Sequence, residues 1–115
     1  MSDCIFCRIA SGAIPSEKIL DNEHFFVIQD IHPKAPVHLL LIPYEHIPNL
    51  LDLEAKHAAL LGKMLVASSQ LAQKYDLSGF RTIINSGQSA GQEVFHLHFH
   101  LLANTGSAQK KLPGF

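Results

Sequence analysis

The hydrophobic and polar positions of the chain form two kinds of periodic pattern. Alternating or continuous apolar residues predict five strands, at 19–21, 24–30, 37–43, 80–85 and 96–102. Apolar residues three and four apart predict a long helix from about Glu54 to Tyr75. A short helix is predicted over 3–12, with Asp3 as its N-cap and Gly12 as its terminator. Because most connections are short, antiparallel pairing and an α+β fold are favoured over a doubly wound parallel sheet.

The strand predicted at 96–102 has the most informative pattern in the chain. Its histidines, His96, His98 and His100, alternate with apolar residues. Successive side chains of a strand point to opposite faces, so the three imidazoles share one face while the apolar side chains pack into a core. A helix would scatter the histidines around its surface. The pattern therefore predicts a strand with a histidine face.

Chemistry is the favoured explanation of this histidine face. A single histidine on a strand is usually a hydrogen-bonded or solvent-facing residue, but strict alternation of three favours a functional role. One metal ion held by all three is disfavoured, because the first and third Cα atoms lie roughly 13 Å apart at about 3.3 Å per residue. His38, in the apolar strand 37–43, is either a hydrogen-bonded core histidine or an active-site residue.

Two cysteines, Cys4 and Cys7, form a C-x-x-C motif with three interpretations. A redox dithiol of the thioredoxin kind normally follows a strand, and no strand is predicted before residue 4. A structural disulfide is improbable in the cytoplasm. Half of a zinc site is therefore favoured, and it needs two further ligands from a chain that contains eight histidines.

Length and composition limit the class of protein. The 115 residues suffice for one domain, predicted at 1–103, with a C-terminal tail at 104–115 that lacks periodicity. Nine basic and ten acidic residues give a formal charge of −1, which provides no support for a nucleic-acid or acidic-membrane surface. No signal-peptide pattern or membrane-length apolar run occurs, so a cytoplasmic location is expected.

The sequence resembles the histidine triad family of nucleotide-binding hydrolases and transferases, and most closely its small Hint-type branch. The resemblance covers almost the whole chain and is carried by Cys4-Ile5-Phe6-Cys7, Ala35-Pro36-Val37-His38, Gly91-Gln92-Glu93-Val94-Phe95 and the alternating histidines. It implies a five-stranded antiparallel sheet with one long and one short helix, usually doubled as a homodimer. It also implies a nucleoside monophosphate bound at the open end of the sheet.

The activity implied by the resemblance is hydrolysis of nucleoside 5′-phosphoramidates or related nucleotidyl compounds. His98 would attack the α-phosphorus and form a nucleotidyl-histidine, from which water releases a purine nucleoside monophosphate. His38 and His100 would flank the phosphate, and proton delivery to the leaving group is assigned to His100. An imidazole nucleophile must be neutral, with one ring nitrogen hydrogen-bonded to an acceptor and the other unprotonated.

The resemblance also implies a set of ligand contacts. Asp30 would accept hydrogen bonds from the ribose hydroxyls, and Asn85 would hold the sugar or phosphate. Gly91, Gln92 and Glu93 would present backbone N–H groups to the phosphate, together with the Gln92 side chain. Glu93 departs from many relatives, which carry serine, and its role is left open. The base would lie among Ile5, Phe6, Ile9, Ile28, Gln29 and Ile31, mostly apolar contacts that favour purines.

A zinc site of four ligands is implied in the same way. Family members with the cysteine pair complete it with a histidine after the third strand and the first histidine of the triad. Here the set is Cys4, Cys7, His46 and His96, a closed Cys₂His₂ site that is structural by its coordination number. The remaining histidines, His24, His32 and His57, are predicted to be surface residues.

Several alternatives remain open at this point. A dinucleoside polyphosphate hydrolase, as in the fragile-histidine-triad branch, is the closest competitor. A hexose-phosphate type nucleotidyltransferase is less favoured, because those relatives carry glutamine where His100 stands. The chain could also be a nucleotide-binding or interaction module with incidental catalysis, or could hold a catalytic metal on its histidines.

Overall fold

The computed structural model of the chain describes residues 3–105 and Leu112. Most of the predicted tail, 106–111 and 113–115, lies outside the described residues. Three short 3₁₀ turns, at Leu50–Asp52, Ala55–His57 and Gln88–Ala90, lie in the connections. The helices and strands are, in chain order, α1 (Ile5–Ser11), β1 (Leu20–Asp21), β2 (Phe25–Gln29), β3 (Val37–Pro43), α2 (Ala58–Lys74), β4 (Arg81–Ile83) and β5 (Phe99–Ala103).

The five strands form one antiparallel sheet with the order β1-β2-β3-β5-β4. The two long inner strands, β3 and β5, pair so that Leu40 lies opposite His100 and His38 opposite Leu102. This register brings His38 and His100 to the same face of neighbouring strands. The α+β class and the five-stranded antiparallel sheet are confirmed.

Each face of the sheet packs against one helix. On the α2 face the buried cluster includes Leu97, Phe99 and Leu101, each at most 1% exposed. On the α1 face a second cluster joins the two buried residues of α1, Phe6 and Ile9, to the sheet. Burying a side chain of this size contributes about 1.5–3 kcal/mol, so the apolar alternation fixes which face carries the histidines.

The triad segment is only partly a paired strand. Sheet pairing begins at Phe99, and the residues from His96 to His98 precede it. The backbone N–H of Leu97 donates instead to the carbonyl of Ile47 at 2.6 Å. The residues from His96 to His98 therefore do not pair with β3 but contact the loop that follows β3. Apolar and histidine side chains still alternate between the two faces, as the sequence predicts.

Both helices begin later than the sequence indicates. The N-cap of α1 is Cys4, whose Sγ accepts from the Cys7 N–H at 3.4 Å, and not Asp3. Asp3 lies 3.8 Å from the Arg8 guanidinium as an exposed ion pair. The long helix starts at Ala58, after the 3₁₀ turn. Among the described residues, neither helix is long and apolar enough to cross a bilayer.

The prediction that His57 is a surface residue is wrong. Its side chain is 6% exposed, Nδ1 accepts from the Glu54 N–H at 3.0 Å, and Nε2–H donates to the Glu45 carboxylate at 2.9 Å. His57 closes a capping box with Glu54 that starts the turn before α2. His24 and His32 are exposed, as expected.

Candidate active site

A cavity of about 470 Å³ opens on the α1 face of the sheet, where β2, β3 and β5 end beside α1. His38, His98 and His100 all line it. The other lining residues that the sequence analysis singled out are Ile5, Phe6, Ile9, Ile28, Gln29, Asp30, Ile31, Asn85, Gly91 and Glu93. The fold thus brings together every predicted substrate contact except Gln92.

Hydrogen bonding fixes the protonation state of His98. Its Nδ1 lies 2.7 Å from the carbonyl oxygen of His96. A carbonyl only accepts, so Nδ1 carries the proton and Nε2 keeps its lone pair. Burial lowers the pKa of His98 below its usual value, against the opposing effect of this hydrogen bond. At neutral pH the residue is therefore an uncharged imidazole with one unprotonated nitrogen in a histidine-lined cavity.

His38 and His100 form a directed chain of hydrogen bonds. The Lys34 N–H donates to His38 Nδ1 at 3.0 Å, so His38 carries its proton on Nε2. Nε2–H then donates to His100 Nδ1 at 2.9 Å, with the Asp30 carboxylate 3.4 Å away. His100, when neutral, must therefore carry its own proton on Nε2. The chain makes His100 a hydrogen-bond donor in the cavity.

Both of these histidines resist protonation. Burial is the main cause that lowers the pKa of His38. The pKa of His100 falls from 6.5 to about 4 because of burial first and then the proximity of His98 and His38, with Asp30 opposing. The imidazoles of His38, His98 and His100 are accordingly neutral near pH 7, and Asp30 and Lys34 supply the charges beside them.

Outside the cavity, the four predicted zinc ligands converge on one point. Cys4 Sγ lies 3.3 Å from His96 Nδ1, Cys7 Sγ 3.2 Å from His46 Nδ1, and the two Nδ1 atoms are 3.1 Å apart. All four ligand atoms lie within 4.8 Å of one another. His96 Nε2–H donates to the Pro43 carbonyl at 2.8 Å, which leaves Nδ1 facing the cysteines.

These distances are slightly shorter than, or at the lower end of, those expected around a tetrahedral zinc ion. Zn–S bonds of about 2.3 Å and Zn–N bonds of about 2.0–2.1 Å place ligand atoms roughly 3.3–3.8 Å apart. The carbonyl that orients His96 is the usual outer partner of a metal-ligating imidazole. The four residues therefore have the donor types and the close spacing that a tetrahedral metal ion requires.

A second group, Asp30, His38 and His100, also has ligand atoms within 4.8 Å. Here the hydrogen bonds oppose metal binding. A metal on His38 Nε2 would move the imidazole proton to Nδ1, where the Lys34 N–H already donates. This group is better described as a hydrogen-bond chain, which weakens the alternative of a catalytic metal on these histidines.

In the loop before the triad, the Gln92 side chain does not have the position predicted for a phosphate contact. The Gln92 side chain is directed away from the cavity and is 3% exposed, with its amide hydrogen-bonded to backbone and to Asn49. The N–H groups of Gly91 and Gln92 donate within the loop, to Gln88 and Gly87. Within the described part of the chain, the next two N–H groups, of Glu93 and Val94, make no hydrogen bond.

A backbone carbonyl is the natural acceptor for a neutral imidazole nucleophile, but sequence reasoning did not identify which backbone groups orient the histidines, namely the carbonyls of Pro43 and His96 and the N–H of Lys34. No side-chain pattern marks a backbone donor or acceptor. It also missed the apolar wall formed by Leu40, Ile83 and Leu102. Strand alternation indicates two of these, because Leu40 shares a face with His38 and Leu102 with His100.

One face of the antiparallel sheet presents neutral histidines of fixed orientation to a mostly apolar cavity. This arrangement defines a class of α+β protein that binds a small ligand beside histidine side chains. The particular family follows from comparison with known proteins. The family model described as "Scavenger mRNA decapping enzyme C-term binding" matches residues 3–112. Protein HitA of Neisseria gonorrhoeae is 44% identical over 103 residues, covering 89% of this chain and 96% of HitA. The chain belongs to the histidine triad (HIT) family.

Other similar proteins and solved structures support the same family. The purine nucleoside phosphoramidase of Escherichia coli K12 is 36% identical over 102 residues, covering 87% of this chain and 86% of that protein. The crystal structure of a HIT family hydrolase from Legionella pneumophila is 39% identical with a TM-score of 0.86, covering 96% of this chain and 98% of that chain. A zinc-bound histidine triad family protein from Mycobacterium smegmatis is 31% identical with a TM-score of 0.79, covering 93% and 78%. The chain thus falls among the HIT family hydrolases.

Proposed function

We propose that this protein hydrolyses nucleoside 5′-phosphoramidates or related nucleotidyl compounds and releases a purine nucleoside monophosphate. The observation that carries the proposal is the hydrogen bond from His98 Nδ1–H to the His96 carbonyl, which leaves Nε2 as a nucleophile. The relationship to a phosphoramidase at 36% identity supports this choice of substrate.

The cavity offers a different chemistry to each part of such a substrate. Ile5, Phe6 and Ile9 supply an apolar surface for the base. The Asp30 carboxylate has two acceptor oxygens, which suit the two adjacent hydroxyls of a ribose. The N–H groups of Glu93 and Val94, which make no hydrogen bond to the described residues, would donate to the phosphate together with the Asn85 side chain.

The reaction proceeds in two displacements. His98 Nε2 attacks the α-phosphorus and forms an N–P bond while the P–N bond to the leaving amine breaks, and its electron pair departs with the amine. Water then attacks the phosphorus, restores His98 and releases the nucleoside monophosphate. Positioning and charge stabilisation supply most of the acceleration in such a transfer.

Neutral His100 donates from Nε2 to a phosphate oxygen of the bound substrate. Proton delivery to the departing amine needs a cationic His100, which its pKa of about 4 disfavours before substrate binds. The negative charge of a bound phosphate raises that pKa, so proton delivery is coupled to substrate binding. His38 acts through His100, because it fixes which nitrogen of His100 carries the proton.

We further propose that Cys4, Cys7, His46 and His96 hold a structural Zn²⁺. A closed four-ligand site supplies folding energy and no open position for substrate. The ion would join α1 to the loop after β3 and to the segment that carries His98.

We also propose that the protein is a homodimer. β4 is an edge strand, and large apolar side chains are exposed beside it and on α2, with Phe80 40%, Leu65 53% and Val66 61% exposed. Sedimentation analysis of the wild type and of Val66→Glu tests this, and a wild type that sediments as a monomer at micromolar concentration contradicts it.

The central experiment follows label from a nucleoside phosphoramidate carrying ³²P. Quenched wild type should carry the label on His98, mapped by peptide mass spectrometry. His98→Ala should lose about 10⁴-fold or more in turnover while still binding the nucleoside monophosphate. His24→Ala, which removes an exposed histidine, should behave as wild type.

Three results would contradict the proposal. Label on another residue, or none on the protein, excludes the histidine intermediate. Faster turnover of a dinucleoside polyphosphate than of the phosphoramidate identifies the other hydrolase class. Tight binding of the monophosphate without turnover of either substrate identifies a binding module.

A further inference from the structure

We propose that Gln92 is a positioning residue that holds the phosphate loop, defined here as residues 87–94, in its ligand-binding conformation. The inference rests on the proposed function, because it assigns this loop to the phosphate. Gln92 itself does not line the cavity, so its effect on catalysis would act through the backbone of its neighbours.

The Gln92 amide uses its full hydrogen-bonding capacity. Oε1 accepts from the Gly87 N–H at 2.8 Å and from Asn49 Nδ2 at 3.1 Å. Nε2 donates to the Pro48 carbonyl at 2.7 Å and to the Val94 carbonyl at 3.0 Å. A glutamine side chain offers two donor hydrogens and one oxygen that accepts twice, so no position remains for a ligand.

The partners of the amide explain what it holds. Gly87 and Val94 are the two ends of the phosphate loop, and Pro48 and Asn49 belong to the segment across from it. One buried side chain therefore sets the separation of the loop ends and attaches both to a fixed neighbour. Because the side chain is 3% exposed, water cannot readily replace these bonds.

The loop between these ends leaves two donors for a ligand. The 3₁₀ turn consumes the N–H groups of Ala90, Gly91 and Gln92. The N–H groups of Glu93 and Val94 are unpaired within the described residues and lie beside the cavity. Donors fixed in advance stabilise developing charge more than donors that must reorganise, and a misplacement of 1 Å can cost about 10²-fold in rate.

Glutamate is the most discriminating substitution. It has nearly the same shape, but a carboxylate cannot donate to the carbonyls of Pro48 and Val94. Gln92→Met removes all four bonds while it keeps an unbranched side chain of similar length. Asn49→Ala removes only one of the four bonds, so its effect should be smaller.

The experiment compares adenosine 5′-monophosphate with adenosine by titration calorimetry. For Gln92→Glu and Gln92→Met, we expect the affinity for the monophosphate to fall about 10- to 100-fold and that for adenosine to change less than about twofold. Asn49→Ala should lower the affinity for the monophosphate only a few-fold. Leu71→Ala, which opens a cavity under α2 away from the loop, is the matched control for lost stability and should leave both affinities unchanged.

Hydrogen exchange at the Ala90 and Gly91 amides, which are hydrogen-bonded within the loop, provides a readout that needs no ligand. Exchange should accelerate at these amides in the Gln92 variants and not in Leu71→Ala. Equal loss of both ligands would show a general structural role and overturn the inference, as would variants that bind the monophosphate like wild type.

Failure of the proposed function would look different. A wild type that binds neither ligand rejects the nucleotide assignment, and amide exchange alone then decides whether Gln92 holds the loop. If Gln92→Glu does not fold, Gln92→Met and Asn49→Ala still give the graded series, and a series without that order overturns the inference.

Discussion

The low pKa of His100 predicts that protonation of this side chain contributes to a loss of stability of the substrate-free protein in mild acid. In the unfolded chain the imidazole has a pKa near 6.5, whereas in the folded state it is lowered to about 4. Between these values the unfolded state binds the proton and the folded state does not. The contribution of neutral His100 is fully present above pH 6.5 and is lost as the pH falls towards 4, below which the loss levels off.

The size of the effect follows from the two pKa values. Each pH unit between them is worth about 1.36 kcal/mol, which sets a ceiling of about 3 kcal/mol for a fall from 6.5 to about 4. His100 is only partly buried, so solvent screening reduces the expected loss to about 1.5–2 kcal/mol between pH 7.5 and pH 4.5. This remains a large fraction of the stability of a small domain.

Urea unfolding of the wild type and of His100→Gln at pH 7.5, 6.5, 5.5 and 4.5 measures the effect. Glutamine stays neutral and can accept from His38 Nε2–H, so the variant should lose about 1.5–2 kcal/mol less over this range. Acid loss of a bound metal affects both proteins and cancels in the difference. His24→Gln, at an exposed position, should follow the wild type. Equal pH dependence of the wild type and His100→Gln would refute the reasoning.

Three further predictions concern the nucleotide and metal sites. Asp30→Asn should lower the affinity for adenosine monophosphate by about tenfold or more in calorimetric titrations, and the affinity for the 2′,3′-dideoxynucleotide by less. Equal losses of affinity for the two ligands would place the carboxylate away from the ribose. Gly91→Ala should cost about 1–2 kcal/mol in urea unfolding because φ is +95° with no atom within 4 Å of a new Cβ, whereas Gly62→Ala inside α2 should stabilise. Chelation should lower the melting temperature by roughly 10 °C or more. Cys4→Ser should have a lower melting temperature than the wild type before any chelator is added, and the chelator should not lower it further. A chelator that removes zinc without lowering the melting temperature of the wild type would argue against a structural ion.

The parts of the fold that produce a periodic pattern of apolar and polar residues could be predicted from the sequence. Leu97, Phe99 and Leu101 occupy the α2 face and His98 and His100 the opposite face, because side chains in extended chain alternate whether or not the backbone is paired. The limit of pairing at Phe99 was not predictable. It depends on the Leu97 N–H finding the Ile47 carbonyl, fifty residues away in the chain.

Residues whose partners are distant or belong to the backbone escaped prediction. His57 fits the polar side of the predicted long helix by spacing, but its side chain is buried with hydrogen bonds to Glu54 and to Glu45 on the preceding loop. Gln92 adjoins a loop expected to bind phosphate, so its amide was predicted to reach the ligand. Its actual partners at Pro48 and Asn49 lie more than forty residues earlier. Polar residue type alone does not distinguish these outcomes.

The three histidines of one short motif differ in their hydrogen bonds, because different groups occupy different ring nitrogens. His96 donates from Nε2 to Pro43 and turns Nδ1 towards the cysteines, whereas His98 donates from Nδ1 to His96 and leaves Nε2 unprotonated. His100 accepts at Nδ1 from His38, so its remaining proton lies on Nε2. The proposed metal ligand, the proposed nucleophile and the proposed hydrogen-bond donor are thus the same type of side chain at spacings of two residues. A substitution that alters which nitrogen is occupied should therefore change the role of a triad histidine without changing the histidine itself. Lys34→Pro is one such change, because it removes the N–H that orients His38 together with the lysine charge.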